Sequence, residues 1–575
     1  MQAAANRPGL GRALVAGAAL GFAFGVLYPT THVAIEPAQL LAGLVEYPPD
    51  NAFGIYETRV WTALHQLLAV PLALGVGERT LSIAVSGGVG ALSFASLSAF
   101  AFALGAPVGW AAVTPFLLWA MNPVGWGFGY PILLVGHPHT YGMVGLAWAL
   151  LACGVIGAGR FQTGAALLGF APALHASVGA SVAMLVGFAT LLGGRAMRPH
   201  WPALLRGVAI GAGFAGLSLA AHLLWRPAVP APDPNVVDPL FSTFLRVWEW
   251  HRQPLEWIAW RTWALVLGVA IAGTWLWRVR VTDATQALLL RVVLLGAFFG
   301  VLFALSRHAA VSDLLPDVVI SAMPARILNL PVVAFLPLAV AALVRPGAPS
   351  FGIAAAVALA GIALFWQRLH ALQTWGIPLV GIAALASAAL PTLPGAAISR
   401  MRRIAAGAAV VAIVVGIGFV ATWSARSLPR RLAIHVRDRS DDAVLAETSR
   451  RAGLLAVAPG IERAQSMTRR PIVIDPQALD MVTYAPAALP EMVRAIETLY
   501  GIPFASPRPE DRNQSVLPAA HVKEIWEARS AEEWAAVAAA FGVTDVLVPA
   551  SWRLQIPELM RNQVFALHRV AASPP

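Results

Sequence analysis

Residues 404–423 read Ile-Ala-Ala-Gly-Ala-Ala-Val-Val-Ala-Ile-Val-Val-Gly-Ile-Gly-Phe-Val-Ala-Thr-Trp and settle the fold class of this chain. They carry no charge, and a stretch of about 20 apolar residues is what an α-helix needs to cross the hydrocarbon core of a bilayer. From residue 424 onward, charges of both signs become frequent and the apolar runs shorten. The sequence therefore predicts a transmembrane domain over residues 1–423 and a water-soluble domain over residues 424–575.

Similar apolar stretches recur along the first domain and predict a polytopic α-helical membrane protein with about 13 transmembrane helices. They begin near residues 11, 60, 80, 108, 140, 162, 204, 258, 286, 328, 350, 371 and 404. The stretch over 162–194 is either one long helix or two short ones around Pro172. Of the 575 residues, 58% are hydrophobic and 12% are charged, which is more apolar surface than a soluble core can shelter.

The basic residues predict the orientation rather than nucleic-acid binding, although the net charge is +11. They cluster at 195–206, 278–291 and 400–403, as positively charged cytoplasmic loops do, and Arg7 and Arg12 put the N-terminus on the same side. Arg160 is the exception in this topology. This topology places loops 29–59, 226–257 and 306–327 and the tail outside. Arginine-rich and Ala/Gly-rich composition points to a bacterial cytoplasmic (inner) membrane.

The tail predicts a small extracytoplasmic α/β domain. Ser530, with Glu533 three residues later, has the spacing of a capping box at the start of a helix. The apolar patterns predict strands at 471–475, 543–549 and 564–570 and helices at 487–500 and 530–541.

The first outer loop carries three carboxylates in Val-Glu-Tyr-Pro-Pro-Asp-Asn-Ala-Phe-Gly-Ile-Tyr-Glu-Thr-Arg, residues 45–59. The two prolines before Asp50 stiffen the chain, so this acid could serve as general base on an acceptor hydroxyl or help to hold a metal-phosphate. The alternative is that Asp50 caps the following helix. Glu46, Glu57 and Arg59 belong to the same loop and are candidate substrate contacts.

Two histidines flank a proline in Gly-His-Pro-His-Thr-Tyr-Gly, residues 136–142, at the start of a membrane helix. His137, His139 and the more distant His175 could bind donor or acceptor in a cavity, make structural polar contacts, or bind a metal. The arginine topology puts 124–139 inside, which separates His137 from Asp50 unless this segment is re-entrant. The lone cysteine, Cys153, lies in an apolar run and favours plain packing over catalysis.

A third candidate set is cationic and lies outside in this topology. Arg307 and His308 begin the loop 306–327, and Arg326 ends it at the mouth of a membrane helix. A guanidinium binds phosphate in bidentate fashion and keeps its charge, which suits a lipid-phosphate donor. The alternative is that Arg326 only reaches the lipid headgroups, as arginines at helix ends commonly do.

An acid soon after the first membrane helix, many further helices and an outer α/β domain together resemble the GT-C superfamily of polytopic membrane glycosyltransferases. The tail segments Trp526–Ser530, Phe541–Pro549 and Trp552–Leu554 look like the ends of uncharacterised bacterial proteins of this kind. The resemblance implies a polyprenyl-phosphate or diphosphate sugar donor and a catalytic acid in the first outer loop, where Asp50 is the matching position. The paired acids typical of the family are absent, which leaves a Mg²⁺ or Mn²⁺ requirement open.

The leading hypothesis is therefore a transferase that moves a sugar from a lipid-linked donor to a polysaccharide, lipid or protein acceptor at the outer face, with Asp50 as base. Its expected partners are the donor, the acceptor and membrane lipids, but no nucleic acid. The alternatives are a noncatalytic membrane scaffold and a polar-lipid transporter. A transporter predicts internal symmetry and charges at mid-membrane depth, and the sequence offers no clear repeat.

Overall fold

The computed structural model describes residues 9–120, 139–226, 232–249, 259–279, 283–305, 315–365, 370–390 and 400–570, and the chain is mostly helical over these ranges. The helices of the first domain are α1 Leu10–Leu27, α2 Ile35–Leu41, α3 Ala52–Arg59, α4 Ala63–Ala73, α5 Glu78–Ala103, α6 Val108–Ala120, α7 Tyr141–Gly157, α8 Phe161–Phe170, α9 Ala176–Leu192, α10 Trp201–Trp225, α11 Pro234–Val247, α12 Ala259–Val279, α13 Ala284–Leu305, α14 Asp317–Ala322, α15 Asn329–Val344, α16 Ser350–Phe365, α17 His370–Ala389 and α18 Arg400–His435. The tail adds α19 Ala443–Arg450, α20 Ala464–Thr468, α21 Leu489–Thr498, α22 Ala519–Ala528 and α23 Ala531–Phe541, with strands β1 Leu454–Val457, β2 Val543–Pro549, β3 Glu558–Arg561 and β4 Phe565–Arg569.

Within the described ranges, five helical segments are long and apolar enough to cross a membrane. They are Leu10–Leu27, Glu78–Ala103, Gly194–Trp225, Ala284–Leu305 and Val319–Val344. Shorter apolar helices accompany them. The architecture fits a helical membrane protein, and the total of about 13 spans stays a prediction.

Glycines set how closely the first spans pack. A side chain at Gly25 of α1 would overlap the backbone carbonyl of Ser86 in α5, and one at Gly21 would overlap the carbonyl of Gly90. Small residues at such crossings let two membrane helices bring their backbones together, where dispersion contacts are strongest. The resulting α1–α5 pair holds the start of the first outer loop against the rest of the bundle.

One predicted span needs correction, and one open alternative is decided. Helix α4 has only 11 residues, about 16 Å of helix, which is too short for a bilayer. Both of its flanks lie at one end of the bundle, because Thr62 donates to the carbonyl of Ala173 at 3.0 Å while Glu78 binds Arg469 of the tail at 2.5 Å. The stretch 162–194 in turn forms two helices, α8 and α9, broken at Pro172.

With this revised path, Arg160 no longer conflicts with the predicted clustering of basic residues at one end of the bundle. The ring of Phe161 stacks on His200 with centroids 4.0 Å apart, so Arg160 lies at the same end of the bundle as the basic cluster 195–206. His139 moves the other way: its ring lies 6.3 Å from that of His32, at the end that carries the outer loops. His139 therefore lies at the same end of the bundle as loop 29–59, which the arginine topology allows only if its segment is re-entrant.

The tail folds around a four-stranded sheet in the order β1-β2-β4-β3, with β1 parallel to β2 and the other pairs antiparallel. Strands β2 and β4, helices α21 and α23, and the capping box of Ser530 with Glu533 confirm their predictions. The predicted strand at 471–475 is reduced to a single bridge between Ile472 and Leu455. Strands β1 and β3 were not predicted.

The core of this domain also contains residues from two loops of the first domain. Phe53 of α3 and Phe244 and Trp248 of loop 226–257 are buried in it, and Trp248 Nε1 donates to the carbonyl of Phe504 at 2.8 Å. The boundary predicted at residue 424 therefore marks a change in composition, but residues from before it still belong to the core of the tail domain. The loops predicted outside converge with the tail at one end of the bundle.

Candidate functional site

A cavity of about 580 Å³ lies where the outer loops, the ends of the membrane helices and the tail meet. Its polar lining comes from α3 (Tyr56, Glu57), the starts of α7 and α9 (Thr140, Tyr141, His175, Ser177), the turn before α15 (Ser321, Arg326) and the tail (Glu462, Arg463, Asp475, Gln477, Asp480, Thr483, Tyr484). Because these groups come from distant parts of the chain, only the assembled fold creates the cavity.

Two carboxylates in the wall are almost fully removed from solvent. Glu57 is 2% exposed and Asp475 is 3% exposed. One oxygen of Asp475 accepts the backbone N–H of Gln477 at 2.8 Å, whereas Glu57 Oε2 has no hydrogen-bond partner among the described residues. A buried carboxyl oxygen without a hydrogen-bond partner is costly, so Glu57 Oε2 is available to bind a polar group that enters the cavity.

The surroundings keep these acids from ionising at their usual pH. Burial raises the pKa of Glu57 well above its ordinary value, and the charge of Glu36 adds to this effect while Arg463 opposes it. Burial likewise raises the pKa of Asp475, to about 7, with Arg463 opposing and Glu36 adding. Acids tuned toward neutrality are typical of proton-transfer sites.

Arg463 lines the same cavity and forms an ion pair with Glu36 of α2 at 3.1 Å. Burial opposes the charge of its guanidinium, but Glu36 and Asp475 outweigh burial and raise its pKa. Its backbone adopts φ +59, the left-handed region that is uncommon outside glycine and is often found at functional sites. The start of α20 thus holds a fixed cation at the cavity wall.

Another part of the lining is electropositive. Arg326 is buried and donates to the hydroxyl of Tyr484 at 3.3 Å. Helices α7 and α9, each of 17 residues, begin at this wall with Thr140 and His175 as N-caps. Their N-terminal ends add partial positive charge from unpaired N–H groups. Gly145 makes this arrangement possible, because a side chain there would overlap His175.

The cavity brings together three of the residues predicted from sequence: Glu57, His175 and Arg326. Asp50 and Glu46 are exposed on the loop before α3 and do not line it, nor do Arg59 and His139. His137, Arg307 and His308 lie outside the described residues.

The helix cap predicted for Asp50 is wrong, because its neighbour Asn51 fills that position. Asn51 Oδ1 accepts the backbone N–H of Gly54 at 2.8 Å. Its Nδ2 donates to the carbonyls of Ile472 and Val473 at 3.0 and 3.2 Å. The Asn51 side chain therefore caps α3 and also binds this helix to the segment before Asp475. It connects the two segments of the chain that carry the buried acids Glu57 and Asp475.

Sequence reasoning missed the contribution of the tail, namely Arg463, Asp475 and Tyr484. The only signal was an acid directly after the apolar run 472–474 and before Pro476, which was interpreted as the end of a strand. Tyr141 was also missed as a wall residue; His65 Nε2 lies 2.7 Å from its hydroxyl and holds the ring in place.

Over the ranges that the structure describes, no group of three or more His, Cys, Asp and Glu side chains is arranged to hold a metal ion. Cys153 is buried in α7, away from the cavity lining. A scan against protein-family models and a search of curated proteins found no match to this chain.

Proposed function

We propose that this chain is a membrane glycosyltransferase that moves a sugar from a polyprenyl-phosphate or diphosphate donor to an acceptor hydroxyl in this cavity. One observation carries the proposal: a single cavity joins a buried, unpartnered carboxylate oxygen on Glu57 to a wall formed by Arg326 and two helix N-termini. Sugar transfer from a lipid phosphate needs both, a base for the incoming hydroxyl and a cationic place for the leaving phosphate.

The phosphate end is assigned to Arg326 and the first turn of α9. A guanidinium offers a planar set of N–H donors that matches phosphate oxygens, and the N-terminal end of a long helix favours an anion. Tyr484, which accepts from Arg326, keeps the guanidinium directed along the wall. The developing negative charge on the departing phosphate is stabilised here.

The base is assigned to Glu57 rather than Asp50. Glu57 lies on the same first outer loop, where the resemblance to GT-C enzymes expects the catalytic acid, and it lines the cavity while Asp50 does not. In the proposed step the acceptor hydroxyl gives its proton to the ionised form of Glu57, and the hydroxyl oxygen bonds to the anomeric carbon. The bond from that carbon to the phosphate oxygen breaks, and the lipid phosphate leaves with the electron pair.

The setting proposed for this reaction is the outer face of a bacterial cytoplasmic membrane, with about 13 spans and the tail outside. The positive-inside distribution supports it, because the end of the bundle with the cavity is opposite the basic clusters 195–206 and 400–403. Both donor and acceptor would then reach the cavity from the outer leaflet and the periplasm.

The test is turnover by purified protein in nanodiscs with a panel of polyprenyl-phosphate and diphosphate sugars, measured as release of the lipid phosphate or diphosphate. Glu57→Gln should bind donor but lower release at least about 100-fold, the usual scale for a general base. Arg326→Ala should weaken donor binding, and Asp50→Asn, an exposed acid on the same loop, is the matched control and should behave as wild type. If wild type releases no lipid phosphate from any donor, or Glu57→Gln is fully active, the proposal fails and a scaffold or transporter role moves forward.

A further inference from the structure

A cluster of arginines follows the apolar part of α18, at the end of the bundle that carries the tail. Within residues 426–439 the only acid is Asp438, whereas the arginines are Arg426, Arg430, Arg431, Arg437 and Arg439. The positive-inside pattern expects few arginines at this end of the bundle, so the partner of each one is informative.

The arginines of this cluster differ in what they bind. The last two form ion pairs with acids of the protein: Arg437 with Asp442 at 3.4 Å, and Arg439 with Glu78 at 3.0 Å. Arg426 and Arg430 are both exposed, and neither has an ion-pair or hydrogen-bond partner within the ranges that the structure describes. These two guanidiniums are therefore available to a ligand outside the chain.

Arg431 shows at what depth this part of α18 lies. Its guanidinium donates to the carbonyl of Leu27, the last residue of α1, at 2.9 Å, and lies 3.6 Å from the ring centre of Tyr28. Ser424 Oγ donates to the hydroxyl of the same tyrosine at 2.7 Å. Helix α1 is long and apolar enough to cross a membrane, and tyrosine is favoured at the membrane–water interface. Residues 424–431 therefore lie beside the end of a span, at the level of the lipid headgroups.

Arg426 and Arg430 lie on one face of α18. They are four residues apart, so their positions are neighbours on the helix surface, separated by about 6 Å along its axis. Toward the middle of the helix the same face is apolar and open, since Val411 and Val415 are 62% and 63% exposed. Thr422, one turn before Arg426, is exposed as well. This face thus combines an apolar track with two exposed cations at its headgroup end.

We propose that this face of α18 binds phosphatidylglycerol, with the lipid phosphate between Arg426 and Arg430 and an acyl chain along Val415 and Val411. Two guanidiniums one turn apart can donate to the same phosphate group, whereas a lone arginine at a helix end only reaches the headgroup layer. Their two charges favour a headgroup that is anionic overall over a zwitterionic one. The site uses no residue of the cavity lining, so it does not depend on the proposed function.

The experiment is native mass spectrometry of the full-length protein, titrated with phosphatidylglycerol and separately with phosphatidylcholine of the same acyl chains. Wild type should bind phosphatidylglycerol about tenfold more tightly than phosphatidylcholine, because two cations face the anionic headgroup. The double variant Arg426→Gln with Arg430→Gln should lose this preference. Arg426→Lys with Arg430→Lys keeps both charges but not the planar donor set, and should retain part of it.

The matched control is Arg450→Gln, which removes an exposed arginine of the tail that pairs with Glu447 at 3.6 Å, and it should keep the wild-type preference. Because Arg426 and Arg430 are exposed, their double glutamine variant should melt at the wild-type temperature in phosphatidylcholine nanodiscs. Equal dissociation constants for the two lipids in wild type overturn the proposal, and so does a preference that survives in the double glutamine variant. Tighter binding of a polyprenyl phosphate than of phosphatidylglycerol also overturns it, since this face would then hold the lipid of the proposed donor.

Discussion

The carboxylate of Glu36 in the first outer loop lies 3.1 Å from the guanidinium of Arg463 in the tail, and the Glu36 side chain is only 1% exposed to solvent. This ion pair joins two segments that are 427 residues apart. Around it, Gln465 Nε2 donates to Gln39 Oε1 at 3.2 Å, and Glu78 binds both Arg439 and Arg469. The first domain and the tail are thus connected through a polar interface whose charges are matched, as buried charges require.

Breaking this ion pair should loosen the tail. Glu36→Gln leaves the charge of Arg463 without its partner in a desolvated place, although the guanidinium keeps 29% exposure. We expect a loss of about 1–3 kcal/mol in the free energy of unfolding, less than for a fully buried pair. Thermal unfolding followed by tryptophan fluorescence measures it. The exposed pair of Arg450 with Glu447, at 3.6 Å, provides the control, and Arg450→Ala should not change the melting temperature. Equal effects from both variants would contradict the role of the Glu36 pair.

Replacing Asn51 should separate its two functions. Asn51→Ala removes both the cap of α3 and the donation to Ile472, and should cost about 1–2 kcal/mol. Asn51→Asp keeps a capping oxygen but cannot donate, so it should recover only part of the loss. The free energy of unfolding in urea measures both. Asp50→Ala is the neighbouring control and should be neutral, because Asn51 is the residue that caps the helix.

Stability should depend on pH through Asp475. Its pKa rises from 3.8 to about 7 on folding, so between these values the folded chain binds more protons than the unfolded chain. The contribution is therefore present at low pH and is lost as pH rises, by up to about 1.4 kcal/mol per pH unit within that window. Asp475→Asn should flatten the fall in melting temperature between pH 5 and pH 7. A slope that is identical in wild type and variant would contradict this reading of the site.

The crossing of α1 and α5 should not tolerate a larger side chain. Gly25→Val would force the backbone carbonyl of Ser86 away and should cost about 1–3 kcal/mol through overpacking. Gly11→Ala is the control on the same helix, because nothing lies within 4 Å of a side chain there. Melting temperatures in detergent compare the two. Similar stability of both variants would show that the helices can separate at no cost.

The fold class could be predicted because it depends on apolar patterns between residues that are close in the sequence. The elements that were predicted correctly depend on the same kind of local pattern. Ser530 and Glu533 form their capping box because both partners lie within one turn of helix. Strand β1 escaped prediction because Leu454–Val457 is only four residues long and gains its stability from β2, almost 90 residues later. Helix α4 was taken for a span because its composition is apolar, whereas its 11 residues lie at one end of the bundle.

The site was harder to predict than the fold, since its parts meet only in three dimensions. Asp50 and Glu57 look alike in sequence, and the difference between them is which way α3 faces once Asn51 has docked on residues 472–473. Arg326 and His175 were found because a polar residue beside an apolar span is conspicuous. Arg463 and Asp475 were not identified from the sequence, because charged residues are common throughout a soluble domain and these two do not stand out.

Phe53 and Trp248 belong to the core of the tail domain, yet the ribosome makes them long before its first strand. From Trp248 to Leu454 the chain adds about 200 residues, which takes about 10–40 s at bacterial rates of synthesis. During that time two aromatic segments lack the partners that bury them in the folded protein. Biogenesis of this protein thus includes an interval in which these apolar loop segments lack their folded partners, until the last quarter of the chain is made.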